Sequence, residues 1–221
     1  MRYQVAILAA CAALAMAVGA HSDPPPKPSA VPVSWELEFE YQDICSITLV
    51  LPGQKQPKTF WYVLYTITNR TGADQVFVPD FVLYTDTGQV LRSGQGVPTG
   101  VFEAVEKRHN NPLLMDLGRI TGRILQGEDN AKDGVAMWPN FDPAARKFDV
   151  FIGGLSGERA KVKLPSPIEV TEEDENGKPK KVTKTEITLL KTLRLSYAIP
   201  GEAAARPRTV PAPLKKEWVM R

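Results

Sequence analysis

Histidine is the side chain best suited to acid–base work near neutral pH, and this chain of 221 residues has two, His21 and His109. A Ser-His-Asp arrangement would therefore centre on His109, since His21 stands at the edge of a Pro-rich stretch. No serine is marked out to partner it. There is no Gly-x-Ser-x-Gly elbow, and Gly154-Leu155-Ser156-Gly157 falls short of that spacing and reads as a turn. Two cysteines occur, Cys11 and Cys45. In Cys45-Ser46-Ile47-Thr48-Leu49-Val50-Leu51 the thiol shares a strand face with Ile47, Leu49 and Leu51, which predicts a small, unpaired, inward-facing hydrophobe.

Two further patterns suggest binding chemistry. Gly127-Glu128-Asp129-Asn130-Ala131-Lys132-Asp133-Gly134 is rich in oxygen ligands, but Ala131 stands where an EF-hand needs a ligand and Asn140 where it needs Glu. A solvated turn is the expectation, and no metal or cofactor is expected. Four tryptophans, Trp35, Trp61, Trp138 and Trp218, could stack on sugar rings. Trp35 and Trp61 fall on apolar strand faces and read as core. Trp138, beside Pro139, is the one placed at a loop edge, and it carries the alternative reading of a carbohydrate- or small-ligand-binding module.

The elements that must position these residues are mostly strands. Trp35, Leu37, Phe39 and Tyr41 alternate with Ser34, Glu36, Glu38 and Glu40, the signature of a half-buried strand. Thr59–Thr68 is apolar on both faces and predicts a central strand. Further strands are expected around Gln75–Thr85, Gln89–Leu91, Val135–Trp138, Lys147–Leu155, Lys161–Leu164 and Thr192–Ile199. In the last of these Leu193, Leu195, Tyr197 and Ile199 face inward. Residues 96–127 lose the period of two. Val101, Phe102 and Val105 share one helical face there, Thr99 is a candidate N-cap and Pro112 forbids continuation. A second short helix is expected within Leu113–Leu125.

Strands at short intervals predict a mainly β fold, an antiparallel β-sandwich over residues 33–199 with a helical insertion at 96–127 and a charged hairpin at 168–190. Residues 1–20 read as a secretory signal peptide: Arg2, an apolar run from Val5 to Val18, and small residues at Val18-Gly19-Ala20. That run is too short for a bilayer span. A lipoprotein cut at Cys11 would leave a very short apolar region. The expected destination is therefore periplasmic or secreted, with no stable membrane span after cleavage. Residues 21–32 form a Pro-rich linker, extended or disordered. Residues 200–221 form a Pro/Ala-rich tail that Trp218 and Val219 could dock.

Of the 27 basic residues one, Arg2, leaves with the signal, so the mature chain nearly balances its 25 acidic residues. That balance points away from nucleic acid. Tyr65-Thr66-Ile67-Thr68-Asn69-Arg70-Thr71-Gly72 and Phe148-Asp149-Val150-Phe151-Ile152-Gly153-Gly154-Leu155 resemble strand-and-turn segments of bacterial immunoglobulin-like domains. The whole chain is similar to uncharacterised exported proteins of planctomycete-type bacteria. The resemblance implies an immunoglobulin-like fold class and transfers no functional residue.

The residues thus point to a non-catalytic exported module that meets a protein or another envelope component. Its candidate surface is Arg108, His109, Asn110 and Asn111 on the helical insertion, with Trp138. The charged hairpin reads first as a solvated ribbon whose charges keep a free edge from pairing with other chains, and a docking arm is its functional alternative. Asn176-Gly177 predicts a two-residue turn, which sets Glu175 against Lys178, Glu173 against Lys180, Glu172 against Lys181 and Glu169 against Lys184. That ribbon is expected to project into solvent with no apolar face in its outer half.

Overall fold

The structure is a computed structural model that describes residues 25–173, 178–204, 206 and 209–221. The expected signal peptide and the hairpin tip from Asp174 to Gly177 lie outside the described residues. The elements run β1 (Glu38–Tyr41), β2 (Cys45–Leu49), β3 (Lys58–Asn69), β4 (Gln75–Phe77), β5 (Asp80–Thr85), β6 (Val90–Arg92), α1 (Thr99–His109), α2 (Leu117–Ile120), β7 (Gly122–Ile124), β8 (Gly127–Pro139), β9 (Lys147–Gly153), β10 (Arg159–Glu173), β11 (Pro179–Ala198) and β12 (Ala212–Met220). All of their ladders are antiparallel.

Two sheets face each other. In the first, β3 is central: β8 pairs along one edge, while β1 and β2 lie end to end along the other. In the second, β5, β6, β9 and β11 form the body, β12 adds to the far edge of β11, and β10 continues along the edge that β9 begins. The hydrogen bonds show the continuation. Leu190 exchanges both backbone bonds with Arg221, whereas the next N–H, that of Lys191, donates the opposite way to the Glu158 carbonyl. A separate short ladder joins β4 to β7.

The main core lies between the sheets. Trp61, Val63, Tyr65 and Ile67 of β3 meet Phe81, Leu83, Phe148, Val150, Leu193, Leu195 and Tyr197 from the second sheet. Each such side chain contributes about 1.5–3 kcal/mol relative to exposure. The alternate residues of β3, Phe60 and Tyr62, point to the other face, and there α1 covers them. Val101 and Val105 are fully buried against Ile47, Leu51, Val135 and Met137. This explains why β3 is apolar on both faces. The helix thus packs on the outer face of the first sheet and not at an open end of the sandwich.

Several boundaries differ from the sequence expectation. Pro98, extended at φ −65° and ψ 149°, precedes α1, and Thr99 is its first residue rather than a side-chain cap. The insertion ends sooner than residue 127, because β7 forms at Gly122 and β8 starts at Gly127. Gly127 and Lys132–Gly134 of the expected turn pair with β3, with Asp133 opposite Thr66, while Glu128–Ala131 fall in the register shift between them and stay exposed. Gly134 is required there, since a Cβ would sit 2.4 Å from the Tyr65 ring. The last part of the C-terminal tail forms a strand, β12, which pairs with β11 and so adds to the second sheet.

The hairpin is longer than expected and its register is different. β10 and β11 pair from Arg159↔Leu190 outward, with a shift between Lys163 and Ile168 where Pro165 and Pro167 remove donors. Beyond the shift Glu169 faces Thr183 and Glu172 faces Lys180, one residue away from a two-residue turn at Asn176-Gly177. Glu169 still meets a lysine, Lys181 at 3.7 Å, but diagonally. An apolar pair also stands in the outer half, Val170 opposite Val182.

Candidate functional site

The last turn of α1 carries Lys107, Arg108 and His109, basic residues that suit the negative end of a helix. Asn110 then turns left-handed at φ 47°, a conformation asparagine tolerates better than most residues. Helix end and strand β2 meet at this corner. The Arg108 guanidinium donates to the Ser46 carbonyl at 2.9 Å, and His109 Nε2 lies 2.9 Å from the Tyr62 hydroxyl. Asn111 donates to Asp133 at 2.8 Å, and Thr66 donates to the other oxygen of that carboxylate at the same distance. Four of the five candidate residues thus come together.

Trp138 does not join them. It is fully buried in β8, opposite Trp61, and belongs to the main core. Pro139 made the segment look like a loop edge, yet β8 continues through Pro139, which faces Phe60. The sugar-platform reading loses its ring.

Cys45 is also misplaced by the sequence reading. Its strand parity is right, because Ile47 on the same face is buried beneath α1, but the helix ends before it covers the thiol, which is exposed opposite Tyr62. Its Sγ donates to the Asp43 carbonyl at 3.4 Å. Partial burial raises the thiol pKa, Arg108 pulls it down by less, and Asp43 adds to the rise. Burial lowers the His109 pKa, and Arg108 lowers it further. A cysteine–histidine nucleophile needs the opposite pair of shifts, a thiolate beside an imidazolium. This corner therefore offers hydrogen-bonding groups, the Arg108 guanidinium and the Asp133 carboxylate.

A second cluster, at the base of the ribbon, was not expected. Lys191 begins the inward-facing series Lys191, Leu193, Leu195, Tyr197 on β11, and its side chain is only 2 % exposed. Its Nζ lies 2.9 Å from Glu36 and 3.3 Å from Glu158, and 5.0 Å over the Trp218 ring. Burial alone would lower its pKa; hydrogen bonds and charge from Glu36 and Glu158 outweigh that and hold it above the ordinary lysine value. The Glu158 carboxyl is held low, chiefly by the Ser29 N–H and against the cost of burial. Ser29 belongs to the Pro-rich segment, which is docked rather than free. Its N–H donates to Glu158 at 2.8 Å and its carbonyl accepts from Lys191 at 3.3 Å. Pro25, Pro26, Pro28, Trp218 and Met220 line a cleft of about 550 Å³ beside this contact. The available signal was parity: extending the apolar face of Leu193 and Leu195 back by two places lands on a lysine.

Among the described residues, no group of three or more His, Cys, Asp or Glu could hold a metal ion, and no helix is long and apolar enough to cross a membrane. No family model, curated protein or solved structure matches the chain.

Proposed function

We propose that this chain is an exported, immunoglobulin-like β-sandwich without catalytic activity, which docks a protein or another envelope component through its β10–β11 ribbon. The observation that supports it is the ribbon itself. None of residues 159–171 or 179–190 is buried, although they pair over most of their length. Two strands alone are marginal in water, so a ribbon kept at this length has surface to offer a partner. That surface is mixed. Ala160 faces Leu189 and Val162 faces Ile187, then beyond the register shift Val170 faces Val182. Ile187 and Val182 differ in parity on β11, so the apolar pairs change faces across the shift. Lysines and glutamates flank them, as at a polar interface rim. The lowered His109 pKa, beside Tyr62, and the raised Cys45 thiol favour the non-catalytic reading.

Photo-crosslinking side chains at Val170, Val182 and Thr183, introduced singly in the exporting cell, test the proposal. All three should capture the same partner, and Val170→Ser with Val182→Ser should weaken capture from Thr183 at least tenfold. A control crosslinker at Tyr84, on the body, should not capture it. Equal capture from Tyr84, or full capture by the double serine variant, would overturn the ribbon as the docking surface. N-terminal sequencing of exported material should begin at His21.

A further inference from the structure

We infer that Glu158, Lys191 and Trp218 form a peptide-binding site for extended, proline-flanked segments, which the chain's own residues 25–32 occupy in cis. The contact has the form of main-chain reading. One residue, Ser29, gives its N–H to Glu158 at 2.8 Å and receives Lys191 on its carbonyl at 3.3 Å. Those are the two bonds that a neighbouring strand would make with it, here supplied by a buried carboxylate and a buried ammonium. The pair is held rigidly for this task. Glu36 braces Lys191 from another side at 2.9 Å, and the Trp218 ring lies 5.0 Å beneath the ammonium.

The segment matches the site. Pro25, Pro26 and Pro28 precede Ser29 and Pro32 follows it, so the arm is pre-set to an extended path and has few N–H groups to satisfy. Ser29 supplies a donor where Glu158 needs one. Prolines along an aromatic-lined cleft are a recurrent recognition mode, and here Trp218, Val219 and Met220 of β12 form the wall. The clamp reads mainly backbone, with the Ser29 side chain as a further hydrogen bond to Glu158, so it takes an extended segment that offers one N–H and one carbonyl, and best a serine, between prolines. The cis arm then acts as a resident competitor, and a partner segment of the same chemistry enters by displacing it. The site is separate from the outer ribbon and stands or falls independently of it.

The test uses the full chain carrying Ser29→Pro, which removes the donor but suits the extended path, and two synthetic peptides. One has the sequence of residues 25–33; the other has proline in place of Ser29. Calorimetry should show the native-sequence peptide binding the Ser29→Pro chain at least tenfold more tightly than the unaltered chain. The proline-substituted peptide should bind that variant at least tenfold more weakly. Equal affinity for both chains, equal affinity of both peptides, or no binding to the folded variant would each overturn the inference. Should Ser29→Pro fail to fold, hydrogen exchange on the unaltered chain decides. The Ser29 amide should be protected, and excess native-sequence peptide should speed its exchange at least threefold by displacing the arm. An unchanged rate would overturn it.

Discussion

Strands β8 and β10 are both long, both antiparallel to their partners and both rich in charge over part of their length, yet they live in opposite surroundings. β8 is paired to β3 with both faces covered from Gly134 to Trp138, by the second sheet on one side and α1 on the other. β10 is paired to β11 with neither face covered. The backbone hydrogen bonding is alike, and each bond contributes only about 0.5–1.5 kcal/mol net. The stabilisation differs because burial differs. Pairing gives a strand its direction and register; a second layer gives it free energy.

The sharpest way to break this comparison is to remove a side chain from each ladder. Trp138→Ala in β8 should lower the unfolding free energy by about 3–5 kcal/mol. Val182→Ala in the ribbon should change it by about 0.5 kcal/mol or less, as at other uncovered sites. Urea denaturation followed by circular dichroism measures both, and similar losses would show that the ribbon is covered in solution. Next in size is Gly134→Ala. The Tyr65 ring lies across that position, and a forced shift in a packed core costs about 1–3 kcal/mol. A neutral result would mean that the Tyr65 ring moves aside freely.

The Lys191 clamp sits where the two environments meet and should respond to pH. Glu158 is held below its ordinary range when folded, so the unfolded chain takes up a proton first as pH falls. Its contribution is complete above the ordinary glutamate value of about 4.3 and is lost as pH drops through the folded value. Lys191 has the opposite sign. Its contribution is complete below about 10.4 and is lost as pH rises through its raised folded value. Thermal melts across the acid range should therefore show a steeper loss for the unaltered chain than for Glu158→Gln. Parallel curves would remove the carboxylate from the account.

The smallest effect belongs to Cys45. Cys45→Ser should leave stability within about 0.5 kcal/mol, and a thiol reagent should label the folded chain without denaturant. Labelling should rise toward higher pH than for a free cysteine, because the folded thiol is shifted upward. Labelling only after unfolding would place the residue back under α1.

What the sequence revealed follows from which forces act locally. The period of two in Leu193, Leu195 and Tyr197, the two apolar faces of β3 and the helical face of Val101 and Val105 are local patterns, and each element formed where they stand. The first half of β8 carries Glu128, Asp129, Asn130 and Lys132 and has no such pattern; it joins β3 only through Gly127 and from Lys132 onward, on either side of a register shift. Cys45 had the correct parity, but parity cannot say how far a helix from elsewhere reaches across a face. Arg108, His109, Asn110 and Asn111 adjoin one another at the end of α1, while Trp138 was drawn out of the core by the proline after it. The clamp was least legible of all. Ser29, Glu36, Glu158, Lys191 and Trp218 are scattered from one end of the chain to the other, and only the folded edge of the sandwich brings them together.

One continuous strand, β11, runs from the outer ribbon into the main core without a break. At about 3.4 Å per residue its twenty residues make a rod of roughly 65 Å. The inner end is gripped on both edges, by β9 and by β12. A pull along the ribbon axis would therefore load those two ladders in shear, with many hydrogen bonds sharing the force at once. A sideways push at the outer end would instead bend a slender two-stranded lever about Lys191. The molecule should be stiff to tension and compliant to bending, the mechanical behaviour of a tether.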